Sequence, residues 1–299
     1  MVNYNPKDWL TFIFRFHKAD TFRTLTPMMI TVGLYALVIA ELEIDIIHIS
    51  ETSSLKNFSA LHTLIGFALS MLLVFRTNTA YERWWEGRKL WGSLVNNSRA
   101  MAMKIEVMLP ANLIEDRFFF ATMIGNYADV LRTHLRNQKN SSAIECDGFS
   151  KAEIKDIVHQ PNYIATKIFE RINTLYVNKK ISNEQYLILN NEMTAYIDVC
   201  GACERIKNTP IPFSYSSFLK KFIFFYVMTL PFGYVVSLKY LMIPLSIFIF
   251  YVLASLELIA EEIENPFGTD DNDLPTDAIT KSIKENSLII IKHSNKELD

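Results

Sequence analysis

Cys200 and Cys203 stand three residues apart, the spacing of a redox dithiol or of half a zinc site. A tetrahedral zinc centre needs two further ligands. The only other cysteine is Cys146, and no strand pattern leads into the pair as it does in thioredoxin-like folds. The pair therefore reads as small residues packed on a helix. An odd cysteine count also suits a reducing compartment better than a disulfide framework. A second set is Glu257, Glu261, Glu262 and Glu264, near helical spacing. Such a row is either the solvated face of a helix or a carboxylate ring that draws cations to a pore mouth. A third is the acidic turn NPFGTDDND, residues 265–273. Clustered oxygens suit calcium, but this turn lacks the mid-loop glycine and the distant glutamate of an EF-hand. His62 opens an apolar run, where an ionisable group is a functional residue by default. Its place at the rim of that run favours a solvated cap instead. No phosphate-cradling glycine loop, His-Glu-x-x-His or Gly-x-Ser-x-Gly is present.

The elements that carry these residues are helical and oily. The chain has 299 residues, half of them hydrophobic, with a formal net charge of −2. The near-neutral balance and the lack of a dense basic stripe exclude nucleic acid as the main partner. No charged n-region with an apolar h-region and cleavage site stands at MVNYNPKDWL, so no cleaved signal peptide is expected. Four stretches without formal charge, 24–40, 57–75, 222–238 and 240–256, approach the length that crosses a bilayer. The first extends to about residue 42. The last two are separated by Lys239 alone and form a tight hairpin or one broken element. Arg15, Lys18 and Arg23 precede the first stretch; Arg76, Arg83, Arg88 and Lys89 follow the second; Lys220 and Lys221 precede the third. Glu41, Glu43, Asp45 and Glu51 lie between the first two. The basic flanks place both termini and the central block, about 77–215, in the cytoplasm. That block repeats apolar residues at three- and four-residue spacing, the signature of amphipathic helices. After Pro275 the tail, 276–299, is polar with one apolar turn, 288–291, that could strap onto a neighbouring surface or fray.

Three motifs then carry a resemblance. Arg76 with Tyr81-Glu82-Arg83-Trp84-Trp85-Glu86 and Arg88-Lys89-Leu90-Trp91-Gly92, the run 201–206 followed by Asn208-Thr209-Pro210-Ile211-Pro212-Phe213, and Glu262-Ile263-Glu264-Asn265-Pro266-Phe267-Gly268 occur in this order. Together they resemble the bestrophin family in its prokaryotic branch, over about residues 10–275. The resemblance implies an all-α membrane protein: four transmembrane helices and a cytosolic helical part in one domain, 1–275, assembled as a ring-shaped homopentamer with an axial pore. It implies a passive ion channel in a bacterial inner membrane, with no catalytic residue. Its partners would be further copies of the chain, membrane lipid and the permeant monovalent ions.

In that family the second span lines an apolar neck. Here the implied stripe is Thr63, Phe67 and Met71, with Ser70 and Leu64 beside it, and Ala60, Leu64 and Ala68 as the adjacent-face alternative. A second, cytosolic aperture maps onto Ile181. Arg76, Trp84, Trp85 and Trp91 would hold the second span to the cytosolic helices, and Pro210 and Pro212 would break the chain before the third. Animal members grip calcium with a run of acids after Pro-Phe-Gly. This chain has Thr269 and Asn272 at two of those places, so Asn265, Asp270 and Asp273 imply weak calcium binding or none. No other cofactor is implied. Selectivity stays open between chloride and sodium, with cations favoured slightly by the acidic residues. The alternatives are a coupled transporter with broken spans at Pro231 and Pro244, and a membrane-bound enzyme using the cysteines or the 257–264 carboxylates.

Overall fold

The computed structural model describes residues 21–46, 58–138, 143–154 and 157–292. Arg15, Lys18, Glu51 and the tail beyond Lys292 lie outside the described residues. Within them the chain is helical, with no strand beyond an isolated bridge between Cys146 and Phe149. It divides into two units.

The first unit takes in described residues 21–46, 58–84, 210–265 and 270–272. Helix α1, Thr21–Glu41, carries Pro27 and ends in a π-helical turn, Leu42–Ile46. Helix α2, Phe58–Met108, begins in this unit and runs on as one helix of 51 residues. Three helical stretches, Thr21–Ile46, Ser59–Met108 and Phe213–Glu264, are long and apolar enough to cross a membrane. The last comprises two helices. The observed helices exceed the apolar windows because polar residues with adequate helix propensity continue them past the oil. The third apolar run thus starts nine residues early, at Phe213, and the fourth continues to Glu264.

These two, α7 (Phe213–Leu238) and α8 (Met242–Glu264), are joined by a 3₁₀ turn, Lys239–Leu241. Lys239 takes a left-handed conformation, φ 50°, and the pair forms a hairpin in which Lys220 near the start of α7 meets Glu261 near the end of α8 at 2.7 Å. Leu25, Val32, Leu69, Leu73, Leu219, Ile223, Val227 and Phe250 form the core of this unit. Two polar pairs join its helices: Thr21 Oγ1 lies 2.9 Å from Ser255 Oγ, and Tyr35 donates to the Met228 carbonyl at 3.0 Å.

The second unit takes in described residues 85–138, 143–154, 157–209, 266–269 and 273–292. Its centre is α3, Ile114–Leu135, whose residues 119–131 are all buried. A helix buried all round must be covered on every side. Helices α5 (Gln160–Val177), α6 (Asn183–Asn208) and α9 (Thr276–Lys292) contribute to that cover, while the short α4, Lys151–Ile154, precedes α5. Arg117 of α3 donates to the carbonyls of Glu106 and Leu109 and pairs with the Glu106 carboxylate at 2.7 Å, which satisfies the open C-terminus of α2. Asn126, fully buried, exchanges two hydrogen bonds with the backbone of Ile144. Ser182 and Gln185 make a reciprocal cap at the start of α6.

Residues 276–292 of the tail are not frayed. They form α9, laid along α3 with Ile283 and Ile291 buried. Ser287 donates to the Ala121 carbonyl at 2.9 Å, and Arg136 and Arg132 both grip Asp277, holding its carboxyl below the ordinary carboxylate range. Gly125 permits the approach: a Cβ there would come within 3.2 Å of Lys284 Cα. Gly125→Val is therefore expected to lift α9 off α3 at a cost of about 1–3 kcal/mol. Hydrogen exchange checks this. Amides of 276–292 should lose protection while those of α3 keep it, and unchanged protection of α9 would contradict the contact.

Candidate functional site

The second span presents two opposite faces. His62, Leu69, Leu73, Arg76 and Ala80 are buried at helical spacing against the rest of the first unit. Thr63, Phe67, Ser70 and Met71 lie on the other side and are exposed, Phe67 by 67%. Leu64, Ala60 and Ala68 of the adjacent stripe are exposed as well, so burial within one chain does not separate the two registers. The exposed side is an apolar band that also includes Leu61, Val74 and Phe75. A band of that kind marks a surface made for another partner.

The hydroxyls on this side are turned inward. Thr63 Oγ1 donates to the Ser59 carbonyl at 2.9 Å and Ser70 Oγ to the Gly66 carbonyl at 2.8 Å. Their protons are spent on the helix itself, so the polar residues interrupt the apolar surface less than their names suggest. Thr63, Gly66 and Ser70 also line an open hollow of about 360 Å³ with Tyr226, Tyr234 and Phe248. His62 corrects the expectation of a solvated cap. It is 1% exposed, its Nε2 is 3.0 Å from Thr229 Oγ1, and its ring packs 4.2 Å from that of Tyr226.

Arg76 marks the inner end of the buried face. It is 1% exposed and meets Glu264 at 2.7 Å and Glu257 at 3.4 Å. Glu264 further accepts from the Ile211 backbone at 2.6 Å, and its carbonyl accepts from Arg83 Nε at 3.0 Å. Glu262 accepts from Asn272 Nδ2 and Glu261 pairs with Lys220. The row is therefore not one solvated face: Glu261 is exposed, Glu264 pairs with Arg76, and Glu257 is buried beside the same guanidinium. The sequence hid this because the partner cation is about 180 residues upstream.

Of the aromatic anchors, Trp84 donates from Nε1 to the Asn272 carbonyl at 3.0 Å and stacks on Tyr81. Trp91 is fully buried in the second unit, whereas Trp85 is 48% exposed. Pro210 and Pro212 lie in the short link between the end of α6 at Asn208 and the start of α7 at Phe213, and Pro212 is the N-cap of α7. Ile181 sits in the turn before α6 and is only 5% exposed.

Cys200 and Cys203 are both buried in α6. Burial pushes the Cys200 thiol up to about 12 and raises Cys203 as well, which leaves neither as thiolate at neutral pH. Among the described residues, Asp270, Asp271 and Asp273 do not converge as a set of three metal-ligand carboxylates. Asp273 is buried, and Asn272 is held from both its amide and its carbonyl.

A family model described as Bacterial/Fungal Bestrophin protein matches residues 1–288. The voltage-dependent anion channel-forming protein YneE of Escherichia coli K12 is 32% identical over 290 residues, covering 95% of this chain and 92% of that protein. A Nostoc protein that also bears the name voltage-dependent anion channel-forming protein is 38% identical over 227 residues, 74% of each chain. A crystal structure of a mutated bacterial bestrophin homologue from Klebsiella pneumoniae superposes with a TM-score of 0.79 at 27% identity, over 89% of this chain and 98% of that one.

Proposed function

The chain belongs to the bacterial/fungal bestrophin family, and from that membership we propose that it is a homopentameric channel passing monovalent ions passively through an apolar neck. One observation carries the reading. Phe67 and Met71 stand exposed on one side of α2, with Thr63 and Ser70 at the edge of an open hollow beside them, while the opposite side is the core of its own unit. An ion in hydrocarbon costs many kcal/mol and needs a watered path. Five copies around an axis, each giving one α2, would enclose such a path, and an apolar ring at Phe67 would gate it by losing water.

No charged side chain lies among the four neck residues, so the sign of the permeant ion is not set there. Glu264 pairs with Arg76 at 2.7 Å, Glu257 lies 3.4 Å from the same guanidinium, and Asp45 accepts from Tyr240 at 2.8 Å. Glu257, Glu264 and Asp45 thus face protein partners, and the relatives carry anion channels in their names. Calcium is not required in this reading, because Thr269 and Asn272 supply no carboxylate. Both termini on the cytoplasmic face of a bacterial inner membrane follow from the basic flanks.

Reconstitution into planar bilayers under asymmetric salt tests the proposal. Discrete currents are expected, reversing away from zero toward the equilibrium potential of one permeant ion, and insensitive to micromolar calcium. Silence under every condition, or flux that appears only with a second driving ion, would overturn the channel. A monomer on light scattering in mild detergent would overturn the ring.

A further inference from the structure

Three side chains of the second unit, none of them part of the neck, converge on one point. His134 lies in the last turn of α3, His159 is the N-cap of α5, and Glu204 is in α6. His134 Nε2 is 2.6 Å and His159 Nε2 is 2.9 Å from the same carboxylate oxygen, Glu204 Oε1. The ligand atoms of all three lie within 4.8 Å of one another. Each side chain is between a quarter and a third exposed, so an ion has access from solvent. We propose that His134, His159 and Glu204 form a binding site for one divalent transition metal of the zinc class per chain.

Two imidazoles and a carboxylate are a nitrogen-rich donor set, which selects zinc-like metals over magnesium and calcium. His159 Nδ1 accepts from the Asn162 backbone at 3.2 Å, which fixes the proton on Nε2 in the metal-free state. Both Nε2 protons then point at Glu204 Oε1. Binding through Nε2 moves each of those protons to the Nδ1 of the same ring, since only a free lone pair coordinates, and at His159 this gives up the hydrogen bond from the Asn162 backbone. At ordinary metal–ligand lengths of about 2.0–2.2 Å the three donors sit roughly 3.2 Å apart, so the 2.6 and 2.9 Å separations open by a few tenths of an ångström while the two imidazole nitrogens, within 4.8 Å of one another, draw together. Three protein ligands leave a fourth position for water.

The neighbouring cations do not occupy the carboxylate. Lys207 Nζ donates to the His134 carbonyl at 3.0 Å and to Asn137 Oδ1 at 2.5 Å, and Arg205 pairs with Glu86 at 2.5 Å. A metal would tie together the end of α3, the start of α5 and the last turns of α6, just before α6 stops at Asn208. The site is independent of whether the chain conducts.

The test uses the full chain, purified in detergent, stripped with chelator and titrated with zinc chloride by calorimetry near pH 7.5. Binding of one zinc per chain is expected. His159→Asn keeps an N-cap acceptor for α5 while removing the ligand, and His134→Gln removes the other imidazole at similar size. Each is expected to weaken binding by more than the roughly 10–100-fold that follows loss of an outer-shell partner. Circular dichroism and size-exclusion profiles matching the parent confirm that the variants fold. No stoichiometric binding to the parent, or parent-like affinity in either folded variant, would overturn the site.

Discussion

Replacing Phe67 by alanine is expected to raise the unitary current of the reconstituted protein several-fold. Phe67 is among the most exposed apolar side chains on α2, and five copies on an axis would leave too little room for a hydrated ion. Alanine removes the ring without touching the buried face. Leu69, two residues on and 0% exposed, provides the contrast. Leu69→Ala should cost about 2–5 kcal/mol of stability through its cavity and leave unitary conductance where it was. Single-channel recording separates the two. If Phe67→Ala conducts and gates like the parent, Phe67 does not line the neck and the Ala60, Leu64 and Ala68 stripe takes its place.

The second large effect is expected at Arg76. Arg76→Leu strands Glu257, 4% exposed, and Glu264 without their cation. Breaking a buried ion pair from one side typically costs about 3–5 kcal/mol, because the remaining charge has no water to return to. The variant should melt well below the parent in detergent and aggregate at ambient temperature. Neutralising all three groups together, as Arg76→Leu with Glu257→Leu and Glu264→Gln, should recover a large part of the loss. The new amide oxygen can still accept from the Ile211 backbone, as the Glu264 carboxylate does now. A single Arg76→Leu variant with parental melting would show that the cluster is not structural.

The helices were legible because their signal is local. Apolar residues at three- and four-residue spacing mark α3, α5 and α6, and the uncharged runs mark the spans. The break before α7 was legible from two prolines, which cannot continue a helix. What escaped was everything decided across long separations. The Arg76 cluster joins residues about 180 positions apart, and nothing in the local pattern distinguishes Glu257 from the exposed Glu261. His62 looked like a rim residue until Thr229 and Tyr226 enclosed it. His134 and His159 were two scattered histidines with no motif spacing, and only the fold brings them to Glu204. The polarity of the tail likewise hid α9, whose apolar residues are few but fall on one side.

From Phe58 to Met108 the second helix contains no proline and no interruption, about 75 Å of unbroken hydrogen-bonded backbone. Such a rod resists twisting along its length, since unwinding any turn sacrifices its hydrogen bonds. If Phe67 swings aside by axial rotation, the same angle must reach Arg76, about two and a half turns away, where a fully enclosed guanidinium paired with Glu264 admits little play. Were five copies to form the proposed ring, opening by rolling this helix would thereby be penalised, and side-chain reorientation at Phe67 would be the cheaper movement.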